Sequence, residues 1–260
     1  MRQQLSIFQF QKNTHRVYQK SLQGVATTTK MAIQPISLKP SFPGTIGTRH
    51  ESASLQAVID HLKLQPHIEG GYFVETDRDT LRVPSSFPDE KKASATDDEG
   101  NSTRSASTTI HYLLTPESPL GAFHRNKGRT VHTLHRGRGV YVLIHADEVA
   151  SPSCPGGYGN DDLKEQERWS GKARVEVFRV GQDVLNGERL QWVVDGGKYK
   201  CSFLLPDVEV GEKSEGLLIS ETVVPGFEYT DHDFMRRERM EALLTEEQVG
   251  EMDWMLRKDD

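Results

Sequence analysis

The stretch that decides the fold runs from Leu120 to His145, "LGAFHRNKGRTVHTLHRGRGVYVLIH". It breaks into the short runs "GAFH", "TVHTLH" and "GVYVLIH", each bounded by glycine or polar turn residues. Short β-branched and aromatic runs punctuated this way read as strands. The stretch also carries four histidines, His124, His132, His135 and His145. Residues three apart on a strand face opposite sides, so His132 and His135 do not share a face. His124 and His132, eight apart across a turn, can share an inward one.

The same texture extends outward. "STTIHYLLT" precedes the stretch, and "ARVEVFRV", "RLQWVV", "KYKCSFLL" and "GLLISETVV" follow it. Many short strands with turn signals, and no helices alternating with them, predict an all-β jelly roll or antiparallel barrel. Before the strands, "SASLQAVIDHLKLQPH" places Leu55, Val58, Ile59 and Leu62 at helical spacing, with Ser52 or Ser54 as cap and Pro66 beyond the end. "GGYFVET" then reads as a strand. The segments 83–104 and 149–172 are polar and aperiodic and read as loop insertions. After residue 234 the period changes to helical, and Thr245 with Gln248 has the spacing of a capping box. Residues 51–234 are thus a barrel domain and 235–260 a C-terminal helical extension.

Residues 1–50 hold seven Lys or Arg and no Asp or Glu. They read as a disordered or targeting tail outside the barrel, with a mitochondrial transit peptide as one form of it. The remainder carries 25 basic and 38 acidic residues, a net of −13. A body that acidic argues against nucleic acid as a partner. No apolar run reaches membrane-spanning length, so no membrane association is expected. The two cysteines, Cys154 and Cys201, make no disulfide framework. A reducing compartment fits, cytoplasmic, or mitochondrial if the leader is real.

"LQPHIEGGYFVET", "STTIHYLLTPESPLGAFHR" and "VVPGFEYTDHDF" together resemble the opening, the next strand pair and the closing segment of one branch of the cupin superfamily, the Cupin_5 domain-of-unknown-function proteins. The resemblance runs from about Leu55 to Phe234. It implies a double-stranded β-helix of the rhamnose-epimerase type, with an N-terminal helix, and a homodimer. Measured against the metal-binding cupin motifs, the chain departs at most ligand positions. Ala122 stands where the first histidine of a His-x-His pair would be, and Thr130 lies in the turn where an acid is usual. Asp195 and Lys200 fall at the proline and histidine of the second motif. Only His124 survives, and a divalent metal needs three or four converging ligands. No metal and no cofactor are therefore expected.

The candidate site residues follow. His124 is the candidate catalytic acid or base; its alternative is a hydrogen-bonded barrel histidine. Glu69 precedes the Gly70–Gly71 pair and is a pocket carboxylate or an acceptor for backbone N–H groups. Glu75 shares a strand face with Phe73, so one of the two is out of place if that face is pure core. Tyr72, Arg125 and Lys200 are candidate donors to a ligand, and Arg125 favours an anionic one. His132 and Glu221 are further ligand candidates, each with a bland alternative: Glu221 facing solvent, His132 packed away. His135 and His145 read as surface residues and Tyr141 as core. The function that fits is a metal-independent polar pocket for a small polar or anionic molecule. An epimerase or isomerase acting on a sugar-like or keto-acid-like substrate is the alternative, and a metal-dependent cupin enzyme a third.

Overall fold

Alternation of apolar and polar residues becomes strand wherever one face can be buried. The computed structural model describes residues 36–43, 50–87, 95–96, 102–158, 163–208 and 213–258. Helix α1 (Ala53–Leu62) comes first, and the Ser52 hydroxyl accepts from Leu55 N at its start. The first strands are β1 (Gln65–Pro66), β2 (Tyr72–Arg78), β3 (Arg82–Pro84), β4 (Ala95–Thr96) and β5 (Ser102–Ser105). Then come β6 (Thr108–Leu114), β7 (Leu120–Arg125), β8 (Arg129–Arg136) and β9 (Gly139–Ile144). Helix α2 (Glu165–Arg168) precedes β10 (Val175–Val180), β11 (Gln191–Val194), β12 (Tyr199–Leu204), β13 (Leu217–Val224) and β14 (Asp233–Phe234). Two short helices close the chain, α3 (Arg237–Leu243) and α4 (Glu246–Met252).

The strands form a six-stranded sheet, β1-β2-β6-β13-β8-β11, and a five-stranded sheet, β10-β9-β12-β7-β14. All pairings within them are antiparallel. The two sheets enclose one core, in which Tyr112, Leu134 and Ile219 of the first meet Tyr141, Leu143, Phe178 and Leu204 of the second. This is a double-stranded β-helix. The next residues along β9, Val140, Val142 and Ile144, belong to a second cluster on the outer face of the five-stranded sheet. Both faces of β9 are covered, which is why "GVYVLI" is a continuous apolar run. The outer cover comes from α3 and α4, through Met240, Leu243, Val249 and Met252. Helix α1 covers Leu113 on the other sheet with Leu55 and Ile59. The Thr245–Gln248 capping box is present at α4, and it splits the helical tail in two.

Three expectations change. Residues 1–35 and 44–49 of the expected tail lie outside the described residues. Ile36 and Leu38, however, pack on the outer cluster, Phe42 is buried between the sheets, and Trp254 Nε1 donates to Leu38 O. Apolar side chains in an otherwise polar leader find the nearest uncovered core. The 83–104 insertion contributes β3, β4 and β5 as a small antiparallel ribbon. It carries Arg104, 1% exposed, whose guanidinium makes a bidentate ion pair with Asp231 at 2.7 and 3.2 Å and also donates to Gly226 O. The 149–172 insertion buries Cys154, Arg168 and Trp169. His145, expected at the surface, is buried beneath Glu148, Glu176 and Arg174.

Polar residues also cross the core. Lys200 on β12 reaches from one sheet to the other, where its ammonium donates to Glu221 Oε2 at 2.5 Å and lies 3.0 Å from His132 Nε2. Glu221 and His132 are register partners on β13 and β8. The His132 ring stacks on Trp192, with centroids 5.1 Å apart. Burial pushes the Glu221 carboxyl up, but Lys200 and His132 outweigh it and hold the group far below its ordinary value. Burial pushes the His132 imidazole down, and Lys200 adds to that.

Two outcomes follow from these buried charges. Arg104→Ala strands the Asp231 carboxylate in the interior, a loss of about 3–5 kcal/mol, so calorimetry should show a fall in melting temperature of roughly 10 °C. Glu221 is depressed in the folded state, so its stabilisation is complete above its unfolded value near 4.5 and declines as pH falls below that. Chemical denaturation from pH 6 to 3 should show stability dropping through this window, and Glu221→Gln should flatten the drop.

Candidate functional site

The site is built around the turn in "HIEGGY". Gly70 and Gly71 have φ of 104° and 68°, values open to glycine. A Cβ on Gly70 would lie 2.0 Å from Leu120 O, and one on Gly71 2.5 Å from Leu113 O. The turn therefore presses directly onto the start of β7, where Ala122 N donates to Glu69 O at 2.8 Å. That contact sets Glu69 beside His124, which β7 points inward. A third segment arrives from the far end of the domain. Strand β14 pairs Phe234 with His124, and Met235 N donates to Phe123 O. His232, just before β14, is thereby brought to the same carboxylate.

Glu69 Oε1 lies 2.8 Å from His232 Nε2 and 3.1 Å from His124 Nε2. Its other oxygen is 3.5 Å from His67 Nδ1. The His124 and His232 rings are parallel within 8°, with centroids 5.2 Å apart. The His124 Nδ1 lies 2.9 Å from Ala122 O. Burial pushes Glu69 up, but the neighbouring imidazoles of His124 and His67 and the hydrogen bond from His232 hold it well below the usual carboxylate range. Burial pushes His124 down to about 3; Glu69 opposes that, while Lys200 and His232 reinforce it.

Of this cluster Glu69, His124 and His67 line a cavity of about 70 Å³ between the sheets. Its other walls include Phe73, Ile110, Val223 and Phe227, with Glu221 at one side. Glu75 and Arg78 stand at its rim, joined by two hydrogen bonds of 2.7 and 3.0 Å. The register explains the polar row: Glu75, Ile110, Glu221, His132 and Trp192 are successive cross-strand partners over five strands. On the facing sheet Lys200 pairs with His124. The shared face of Phe73 and Glu75 is thus a cavity wall that takes one apolar and one half-exposed charged residue.

Of the residues singled out in the sequence, His124, Glu69, Glu75 and Glu221 line the cavity. Lys200 and His132 lie behind Glu221 and bind it. Tyr72 does not reach the cavity. It neighbours Phe73 on β2 and so faces the other side, where its hydroxyl donates to Glu51. Arg125 follows His124 on β7 and is turned outward for the same reason. Its guanidinium donates to Asp233, Gly156 O and Gly157 O and lies 4.0 Å from the Tyr158 ring centre. His135 is exposed, and Tyr141 is core. Sequence reading passed over His67 and His232. Both lie inside the quoted opening and closing segments, but their convergence spans 165 residues of chain and no spacing reveals it.

The expectation that no metal ligands converge also changes. It rested on the positions of the metal-cupin motifs. Among the described residues Glu69, His124 and His232 bring one donor atom each to within 4.8 Å of one another. Two of the three come from outside those motifs. Two imidazoles and a carboxylate suit a borderline divalent ion.

Comparison with known proteins agrees with the architecture. An uncharacterized protein of Saccharomyces cerevisiae is 41% identical over 204 residues, covering 77% of this chain and 85% of the yeast protein. A hypothetical protein from Leishmania major superposes with a TM-score of 0.55 at 27% identity, over 78% of this chain and 98% of its own. A protein of Shewanella oneidensis superposes at 0.54 with 18% identity, over 79% and 98%, and supports the fold alone. The profile of the Cupin_5 family, described as cupin superfamily (DUF985), matches residues 56–235. That match covers more than half of the chain and the strand order agrees with it, so the chain belongs to the Cupin_5 family of cupins.

Proposed function

We propose that the cavity binds a neutral, hydroxyl- or carbonyl-bearing small molecule, which presents one polar group to Glu69 and His124. The observation that carries this reading is the convergence of one carboxylate and three imidazoles from three separate segments, of which Glu69, His124 and His67 line a cavity that also has apolar walls at Phe73, Ile110, Val223 and Phe227. A few converging polar groups in an apolar concavity are the usual form of a small-molecule site. Drug-sized ligands occupy roughly 300–1,000 Å³, so a cavity of about 70 Å³ takes one end of the ligand. The rest lies at the rim beside Arg78 and Tyr229. An anionic ligand fits less well, because Arg125 faces outward and Glu69, Glu75 and Glu221 already supply negative charge to the cavity walls.

Proton transfer is the second reading, and the same cluster favours it. Glu69 has three imidazoles within 3.5 Å. Such a cluster offers a path for protons beside a carbonyl, as an epimerase or isomerase needs, but a carboxyl held so low is a weak base, so this reading stands second. A thermal-shift panel of polyols, aldoses, ketoses and 2-keto acids should find a ligand that raises the melting temperature of the wild type. At about 100 times Kd the gain is about 2.7 kcal/mol. Glu69→Gln and His124→Ala should each remove that shift while Arg125→Lys keeps it. A shift that survives both cavity variants would place the ligand elsewhere. Deuterium entering the bound compound from D2O, seen by NMR, separates turnover from binding.

A further inference from the structure

The geometry of Glu69, His124 and His232 points to a divalent first-row cation held by these three side chains, with its remaining coordination positions open to the cavity. The argument begins at the His124 ring. Its Nδ1 lies 2.9 Å from Ala122 O. A carbonyl oxygen only accepts, so Nδ1 carries the proton, and in the neutral ring Nε2 is a bare lone pair. That lone pair lies 3.1 Å from Glu69 Oε1. Two acceptors this close in a buried site repel unless something positive lies between them. A proton shared between the two groups relieves this, and so does a metal ion that takes both lone pairs.

Several features favour the ion. Metal-bound histidines characteristically give their other ring N–H to a backbone carbonyl or a carboxylate, and Ala122 O serves His124 in this way. The His232 ring lies parallel to that of His124 and aims its own Nε2 at the same oxygen. Donors bound at about 2.0–2.1 Å stand roughly 2.8–3.0 Å apart around an octahedral ion and roughly 3.3–3.4 Å apart around a tetrahedral one. The two measured edges here are 2.8 and 3.1 Å. His67, 3.5 Å from the second Glu69 oxygen, is placed to orient the carboxylate from behind. Three protein ligands beside a cavity is the form of a site that exchanges solvent or substrate, as distinct from a closed structural one. The inference goes beyond the ligand reading and does not depend on it, because ion uptake is measured with no organic molecule present.

The test uses the full chain, stripped with chelator and dialysed, then titrated with Zn2+ or Co2+ by calorimetry and by Co2+ visible absorption. One equivalent per chain should bind, and the melting temperature should rise. His124→Ala and His232→Gln should each weaken uptake by more than about 100-fold, with circular dichroism and the metal-free melting temperature showing that each variant is folded. His135→Ala, which removes one ring of the exposed His111–His135 pair, should change nothing. No uptake by the wild type, or uptake that falls with His135→Ala and ignores the other two variants, would overturn the assignment.

Discussion

Lys200 is a charged side chain carried on a strand whose two faces are both buried, and much of the interior is arranged around that fact. An ammonium in such a place needs a counter-charge and hydrogen bonds. It finds Glu221 and His132 across the barrel, so β12 of one sheet is tied to β13 and β8 of the other. The tie sets the polarity of the interior. On the Trp192 side the core is aromatic and closed: His132, Tyr141, Phe178 and Trp192 are in mutual ring contact. On the other side the row ends in Glu221, the cavity and Glu69. One buried Lys–Glu–His cluster thus divides a packed core from the cavity.

The site itself is assembled from the ends of the domain. The Gly70–Gly71 turn lays Glu69 against β7, and the segment before β14 brings His232 in from more than 160 residues away. That last segment is held by the buried Arg104–Asp231 pair, next to His232 in the chain. An insertion that reads as a loop therefore secures one side of the site. Specific chemistry on an ordinary jelly roll arises this way: the strands supply a rigid wall, and the segments that close the domain supply the groups.

The outer surfaces follow the same economy. The face of the five-stranded sheet opposite the cavity is covered by α3 and α4 and by Ile36 and Leu38. Arg125, Tyr199, Arg239 and Asp233 form a hydrogen-bonded hub there, through Asp233 Oδ2. The helices at the chain's end are part of the core's cover and not an appendage.

By itself the sequence determined the strands, because β-period alternation and turn residues are local properties. It also determined the helical start and end, the capping box at Thr245, and the branch to which the chain belongs. It singled out His124, Glu69, Glu75 and Glu221 one segment at a time, with alternatives open, and the tertiary structure brings these four to one cavity. It misjudged Tyr72 and Arg125, although each neighbours a cavity-facing residue on its strand and alternation already turns such a neighbour away. Only the tertiary structure decided that Lys200 and His132 serve Glu221. Only it revealed His67 and His232, and with them three converging donor atoms where the motif positions had lost theirs. The reason is physical: register across strands, and the meeting of two chain ends at one carboxylate, depend on long-range packing that no local pattern encodes.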